Sequence, residues 1–315
     1  MSSLQSYLLK MLMRWQNWRQ ASDPGGERTY AEERASIEAQ ATQYIIPADI
    51  AYQTVQIAGL SAAWASVIDV SIIDTNNKPV ILYFHGGAYV VCSMFSYRPQ
   101  QVRLARLTRA RVLLPDYRLA PEQPFPAAIE DARLAYHWLL KQEIRPEQII
   151  VMGDSAGGGL TLALLIALRD EGTQLPAAAV CLSPWFDLAC SGASMLKRAR
   201  VDLVTRPQKL RQAAEAYLAG ADPHTPLASP LYADLHGLPP LLLQVGTDEV
   251  LLDDSVRMAE LAQQAGVTVK LEVWPHMYHV WQMAGRRLPE AEQAMQQIYN
   301  FIQHHIPSFH AFLNK

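Results

Sequence analysis

Nowhere in the 315 residues does an apolar run approach the roughly 20 residues that a membrane-spanning helix needs. Cysteine is equally scarce. Cys92, Cys181 and Cys190 are an odd set without metal-ligand spacing, which argues against a disulfide framework and suits a reducing cytoplasm. Excess charge of one sign is missing too. The 27 basic and 30 acidic side chains leave a net charge of −3, so neither nucleic acid nor an anionic membrane has an electrostatic reason to bind. Arg103, Arg106, Arg109 and Arg111 in RLARLTRAR alternate with Leu and Ala, as on a solvated helix face. A secretion signal is not expected either: Lys10 and Arg14 interrupt the apolar run of MSSLQSYLLKMLMRWQNW, and no small-residue cleavage site follows.

That N-terminal stretch instead places Leu4, Tyr7, Leu8, Met11, Leu12, Trp15 and Trp18 on one helical face. Its polar face is only modestly basic, so a helix docked on the protein is expected rather than a membrane anchor. A break at SDPGGER precedes a second helix from about Thr29. The pattern then changes. VQIAGLSAAWASVIDVSII reads as two β segments turning near Gly59, and TNNKP as a turn. After it come short apolar runs, VILYF, ARVLLPDY, QIIVMG, AAAVCLSPW, LLLQVG and VKLEVW, separated by helical stretches. Strands so uniformly apolar are buried on both faces, which predicts an α/β fold with a mostly parallel sheet. The polar, helix-prone stretch from Asp187 to about Pro230 contains no strand, and an insertion of that length usually covers an active site.

QIIVMGDSAGGGLTL carries the strongest chemical signal. An apolar strand runs into Gly153-Asp154-Ser155-Ala156-Gly157 and then into a helix-forming sequence. A serine at such a strand-to-helix turn has a strained backbone, and its neighbours two positions away must lack bulk. The helix start adds partial positive charge where an oxyanion would form. ILYFHGGAYVV supplies a complementary element: Gly86 and Gly87 end a strand and let backbone N–H groups face outward. Acyl transfer needs such donors, and loss of one costs on the order of 10²–10³ in rate. The third donor is expected from Ala156, the residue after the nucleophile. Six of the sixteen glycines fall in these two motifs, so they are placed rather than scattered. His85 is expected to anchor the loop.

A serine hydroxyl needs a base, and the base needs an orienting group. The candidates for the base are His276 and His279 in VKLEVWPHMYHVW. The pair spells H-x-x-H, but without a third ligand it implies no metal. His304 and His305 read as surface residues. GTDEVLLDD, after the apolar run LLLQV, crowds four carboxylates into seven positions where this chemistry looks for its acid. Asp248 and Glu249 diverge on an extended backbone, so only one can face the histidine. Asp253 and Asp254 suit the first turn of the following helix.

HGGAY, DYRLAPEQPFPAAIED and GDSAGG, in that order, resemble the hormone-sensitive lipase family of α/β-hydrolases, the bacterial family IV carboxylesterases, over roughly residues 80–282. The resemblance implies an eight-stranded, mostly parallel sheet flanked by helices. It also implies a cap built from residues 1–50 and from an insertion at about 187–230 in a catalytic domain spanning 51–315. Ala88 stands where many members carry a third glycine. Arg118 and Glu122 are implied to brace a loop, and His279, followed by Val280 and Trp281, matches the catalytic histidine. The family's D-P-L-x-D pattern aligns best with Glu249, Leu251 and Asp253, which favours Glu249 over Asp248 as the acid. Tyr89 and Trp185 are implied to line the substrate pocket. The implied activity is hydrolysis of short- to medium-chain esters by Ser155, His279 and Glu249 without a cofactor or metal. The implied assembly is a homodimer through an edge strand near VKLEVW. An amidase or deacetylase with the same triad remains open. A non-catalytic receptor on this fold is disfavoured because serine, acid and histidine are all present.

Overall fold

The structure, a computed structural model, describes residues 3–21, 28–68 and 78–306, without the side chains of 16–21. The break at SDPGGER up to Glu27, the first three residues of TNNKP and the Trp18 side chain lie outside the described residues. Eight strands, β1 (Ile50–Ile57), β2 (Leu60–Val67), β3 (Val80–Phe84), β4 (Arg111–Pro115), β5 (Ile149–Asp154), β6 (Ala178–Leu182), β7 (Leu241–Gly246) and β8 (Val269–Trp274), form one sheet. Their order is β1-β2-β4-β3-β5-β6-β7-β8. The β1–β2 and β2–β4 pairs are antiparallel and the remaining five pairs parallel. Ala58 and Gly59, both at positive φ, close β1 onto β2 in two residues, the geometry that matches strand twist.

Nine helices are described: α1 (Leu4–Ala21), α2 (Tyr30–Ala41), α3 (Arg98–Thr108), α4 (Ala127–Lys141), α5 (Ala156–Asp170), α6 (Ser194–Lys197), α7 (Pro207–Leu218), α8 (Leu252–Gln264) and α9 (Pro289–His305). Thr29 starts α2 with a capping box to Glu32, which satisfies two backbone donors reciprocally. Side chains alternate across the sheet. Ile81, Tyr83, Ile150 and Met152 pack with residues of α3 and α9 on one face. Val80, Leu82, Phe84 and Val151 pack with residues of α4, α5 and α8 on the other. Strands β3 to β7 are buried apart from Arg111 at the start of β4, as their apolarity requires. Each fully buried Val, Leu or Ile there contributes roughly 1.5–3 kcal/mol. Strand β8, expected to be buried on both faces, is instead partly exposed along its whole length because it ends the sheet and carries Lys270 and Glu272.

Two further expectations are corrected. The stripe Leu4, Tyr7, Leu8, Met11, Leu12 and Trp15 is not the docked face of α1; these residues are 48–72% exposed. The helix docks through Leu9 and Met13, which pack on the cluster of Met277, Tyr278, Trp281 and Leu288, and through Lys10, which pairs with Asp248. Nor do the four arginines share a solvated helix face. Arg103 and Arg106 stand on α3, paired with Glu292 and Asp49, but Arg109 follows the helix in a left-handed conformation. Arg111 lies in β4 with its guanidinium 4.2 Å above the Trp64 ring.

Among the described residues no helix is long and apolar enough to cross a membrane.

Candidate active site

Neighbouring parallel strands deliver the chemical groups to one edge of the sheet, at their carboxyl ends. Ser155 follows β5 directly, with φ 52 and ψ −121, and α5 begins at the next residue. The turn tolerates no bulk two residues away on either side. A Cβ at Gly153 would run into the Gly157 carbonyl, and one at Gly157 into the Phe84 carbonyl of β3.

Beside Ser155 stands His279, after β8, with Nε2 3.0 Å from Oγ. Its Nδ1 lies 2.9 Å from Oε2 of Glu249, which follows β7. All three residues are buried, Glu249 completely. The other carboxylate oxygen of Glu249 accepts hydrogen bonds from Ser183 Oγ (2.8 Å) and from the Gly246 N–H. Burial pushes the Glu249 carboxyl above its ordinary range, against the pull of His279 and these donors. Burial also works to lower the His279 pKa. The hydrogen bond and charge of Glu249, with Asp202 and Asp154 behind them, outweigh it and raise the imidazole above its ordinary value. Asp248 points away from this chain of bonds. Its Oδ2 lies 2.6 Å from Lys10 Nζ, and its N–H donates to the Met277 carbonyl. His276 is exposed, 3.9 Å from Asp248 and outside the constellation.

The oxyanion loop differs from the expected one by one residue. The Gly86 N–H is already engaged, donating to Asp154 Oδ1 (3.1 Å) and Tyr97 Oη (3.0 Å), so Gly86 is not a free donor. Among the described residues the N–H groups of Gly87 and Ala88 donate to no acceptor. Both residues line the cleft beside Ser155. Ala156, at the first position of α5, adds a third N–H without a partner in the preceding turn. Gly87 (φ 107), Ala88 (φ 53) and Tyr89 (φ 64) all take positive φ. A side chain at Gly87 would strike the Val91 carbonyl, whereas Ala88 takes the left-handed conformation at a cost of roughly 1 kcal/mol.

Asp154, fully buried behind the loop, also accepts from Tyr83 Oη (2.8 Å) and Tyr97 Oη (2.8 Å). Burial raises its pKa to about 6, against these hydrogen bonds and the charge of His279. His85 anchors the same loop. Its Nδ1 meets the Gly86 carbonyl at 2.6 Å, its ring stacks on Tyr117, and burial lowers its pKa to about 4. From α2, Arg34 donates to the Val90 and Ala120 carbonyls and pairs with Glu122. Arg118 is held by Asp131 and Glu130.

A cleft of about 680 Å³ leads to Ser155. Tyr30 and Glu33 of α2 line one wall, and residues between Leu203 and Ala213 another. Tyr89 and Trp185, expected there, are not lining residues. Tyr89 is buried with its ring stacked 3.9 Å from that of Tyr217, and Trp185 is buried with Nε1 donating to the Asp187 carbonyl. Standing next to a functional motif in sequence, both turn into the core.

A family profile described as the alpha/beta hydrolase fold matches residues 81–283. The chain belongs to the α/β-hydrolase family. Its structural neighbours are esterases of the hormone-sensitive lipase family. A crystal structure described as an esterase from the bacterial hormone-sensitive lipase family is 42% identical to this hydrolase with a TM-score of 0.87, covering 97% of this chain and 99% of the other. An acetyl-hydrolase of Streptomyces hygroscopicus is 44% identical over 280 residues, 89% of this chain and 90% of its own. An esterase of Acinetobacter venetianus is 39% identical over 223 residues, 70% of this chain and 74% of its own.

Four residues of the hydrolase's site escaped the reading of its sequence. Ser183, buried at the end of β6, donates to Glu249 and accepts from the Val280 N–H (3.1 Å), tying the acid to the histidine loop. Asp202 reaches from the insertion to accept the Val250 N–H (2.9 Å), next to Glu249. The position of Ser183 between β5 and β7 was a usable signal; nothing in the sequence around Asp202 points to its target. Asp154 stands in the serine motif and Tyr97 outside every motif; their shared hold on the Gly86 N–H was not legible in the sequence.

Proposed function

We propose that the protein is a serine carboxylesterase. The observation that carries the reading is the continuous chain from Ser155 Oγ through His279 to Glu249, at a cleft that Gly87 and Ala88 also line. The Ser155 hydroxyl attacks the ester carbonyl as His279 Nε2 takes its proton. The resulting oxyanion accepts hydrogen bonds from Gly87, Ala88 and Ala156, donors that need no rearrangement to receive it. Glu249 keeps Nδ1 protonated and stabilises the imidazolium. His279 then gives its proton to the departing alcohol, leaving an acyl-enzyme. Water attacks the acyl group with the same base, and the carboxylic acid leaves as Ser155 regains its proton. The names of the relatives, acetyl-hydrolase and esterase, support acyl-ester hydrolysis.

Residues 1–50 and about 187–230 serve as the cap over a catalytic domain spanning the rest. The contribution of Tyr30, Glu33 and residues 203–213 to the cleft walls supports this division. The size of the cleft favours short to medium acyl chains. β8 ends the sheet with Val273 exposed, which supports a homodimer through that edge. Three free thiols favour the cytoplasm as the working compartment.

Hydrolysis of p-nitrophenyl esters from acetate to palmitate, by the wild type and by Ser155→Ala, tests the proposal. Turnover on the shorter esters, abolished by Ser155→Ala, is the expected result. Failure of the wild type on every ester would overturn it. A parallel series of p-nitroanilides separates esterase from amidase.

A further inference from the structure

The cap insertion contains a charge anomaly that ester hydrolysis does not explain. Between Lys197 and Arg211 the sequence KRARVDLVTRPQKLR carries six basic side chains and one acid, within a chain of net charge −3. A second cavity, about 630 Å³, lies against this segment. Arg14 of α1, Arg200 of the loop after α6, and Arg206, Lys209 and Arg211 at the start of α7 line it. Cations from three separate stretches of chain therefore converge on one space.

Asp202, the single acid of the segment, also lines the cavity, but among the described residues its carboxylate is taken up by backbone donors rather than by these arginines. One carboxylate oxygen accepts the N–H groups of Val204 (2.9 Å) and Thr205 (2.8 Å), and the other accepts that of Val250 (2.9 Å). Arg200, Arg206 and Arg211 make no ion pair among the described residues. The cavity also adjoins the cleft of Ser155: Leu203, Arg206 and Lys209 line both. A substrate long enough to leave the cleft on this side meets the arginines. Planar guanidinium groups match the paired oxygens of a carboxylate or phosphate and bind them more specifically than a point charge would.

We propose that this chamber is an anion subsite, so that the preferred substrates are esters bearing a carboxylate or phosphate several bonds from the scissile carbonyl. The inference rests on the esterase reading above and adds the substrate class. The neutral end of the substrate delivers the reacting carbonyl to Ser155, while the anionic end is held outside the cleft by the cap. Two or three partly exposed ion pairs of this kind supply a preference of about three- to tenfold.

The test uses matched pairs of p-nitrophenyl esters of succinic, adipic, suberic and sebacic acids, each with its far carboxyl free or blocked as the methyl ester. For every enzyme variant the readout is the ratio of kcat/KM for the free acid to that for its methyl ester. Changes in overall activity or folded fraction therefore cancel. In the wild type the ratio is expected to exceed one by about three- to tenfold at an intermediate length and to shrink with added salt. In Arg200→Gln/Arg211→Gln it falls toward one, and in Arg200→Glu/Arg211→Glu below one. A wild-type ratio of one or less at every length, with the methyl esters turned over, would overturn the subsite and leave the esterase reading standing. Turnover of neither member of any pair would instead count against the esterase itself. Sedimentation with phosphatidylglycerol vesicles forms a separate arm. Arginine-dependent binding to vesicles without any preference among the soluble pairs would assign the cations to a lipid headgroup surface and overturn the substrate proposal.

Discussion

Lys10 of the first helix holds the carboxylate of Asp248 at 2.6 Å. The adjacent Glu249 turns the opposite way, 2.9 Å from His279. Two neighbouring acids thus have separate tasks, and substitution separates them. Glu249→Gln keeps the shape but removes the charge that orients and stabilises His279; kcat is expected to fall by about 10⁴, the loss typical of a triad acid. Asp248→Asn breaks one partly exposed ion pair worth up to about 1 kcal/mol, so it lowers thermal stability slightly and leaves kcat within a few fold. Steady-state kinetics with a melting curve for each variant checks both.

The pH profile carries a sign. His279 must be neutral to take the serine proton, and its pKa is raised above the ordinary histidine value by Glu249, with Asp202 and Asp154 adding to it against burial. Activity therefore climbs as pH rises through a midpoint above about 6.5, the unperturbed histidine value. Asp202→Asn removes one of the raising charges and moves that midpoint to lower pH. A profile of kcat/KM against pH for both proteins reads the shift; a midpoint unmoved or raised by Asp202→Asn counts against this account.

Asp154 acts on the oxyanion loop through the Gly86 N–H, 3.1 Å away, and does not touch the reacting atoms. Asp154→Ala leaves the Gly86 N–H with Tyr97 Oη alone and releases the hydroxyls of Tyr83 and Tyr97, so the hold on the loop that carries Gly87 and Ala88 is loosened. The expected loss is about 10² in kcat, the scale of a slightly misplaced catalytic group, with KM little changed. Asp154→Asn keeps an acceptor oxygen and restores part of the rate. Equal losses in kcat and gains in KM would show that the residue serves binding rather than loop position.

Tyr89 is core, stacked on Tyr217 and away from the cleft. Tyr89→Ala is expected to cost about 3–5 kcal/mol of stability, as truncation of a buried aromatic does, without altering the order of preference among acyl chains. Chemical denaturation and a chain-length series measure the two effects. A changed chain-length optimum at unchanged stability would return Tyr89 to the pocket.

What the sequence disclosed and what it hid follow from different physics. Strands buried on both faces must be largely apolar, so β3 to β7 could be read from composition alone, whereas β8 at the sheet edge is partly exposed and carries Lys270 and Glu272. Ser155 was marked because its turn excludes side chains at Gly153 and Gly157. Glu249 could be distinguished from Asp248 only through the family's spacing of later residues. The hidden features depend on direction. Gly86 and Ala88 differ in which way an N–H points, a matter of backbone dihedrals set by Asp154 and Tyr97 from elsewhere in the chain. Periodicity identified α1 as a helix but not its buried side, because Leu9 and Met13 are as apolar as the exposed Leu8 and Met11. Tyr89 and Trp185 stand beside motifs in sequence and turn inward in space.

The central claim is that Ser155 is the acyl-accepting nucleophile, and the most direct measurement is covalent labelling with a fluorophosphonate followed by peptide mass spectrometry. One adduct per chain is expected, on the peptide containing Ser155, formed in step with loss of esterase activity and absent from Ser155→Ala. An adduct on another residue, or esterase activity surviving in Ser155→Ala or in the fully labelled protein, would contradict it.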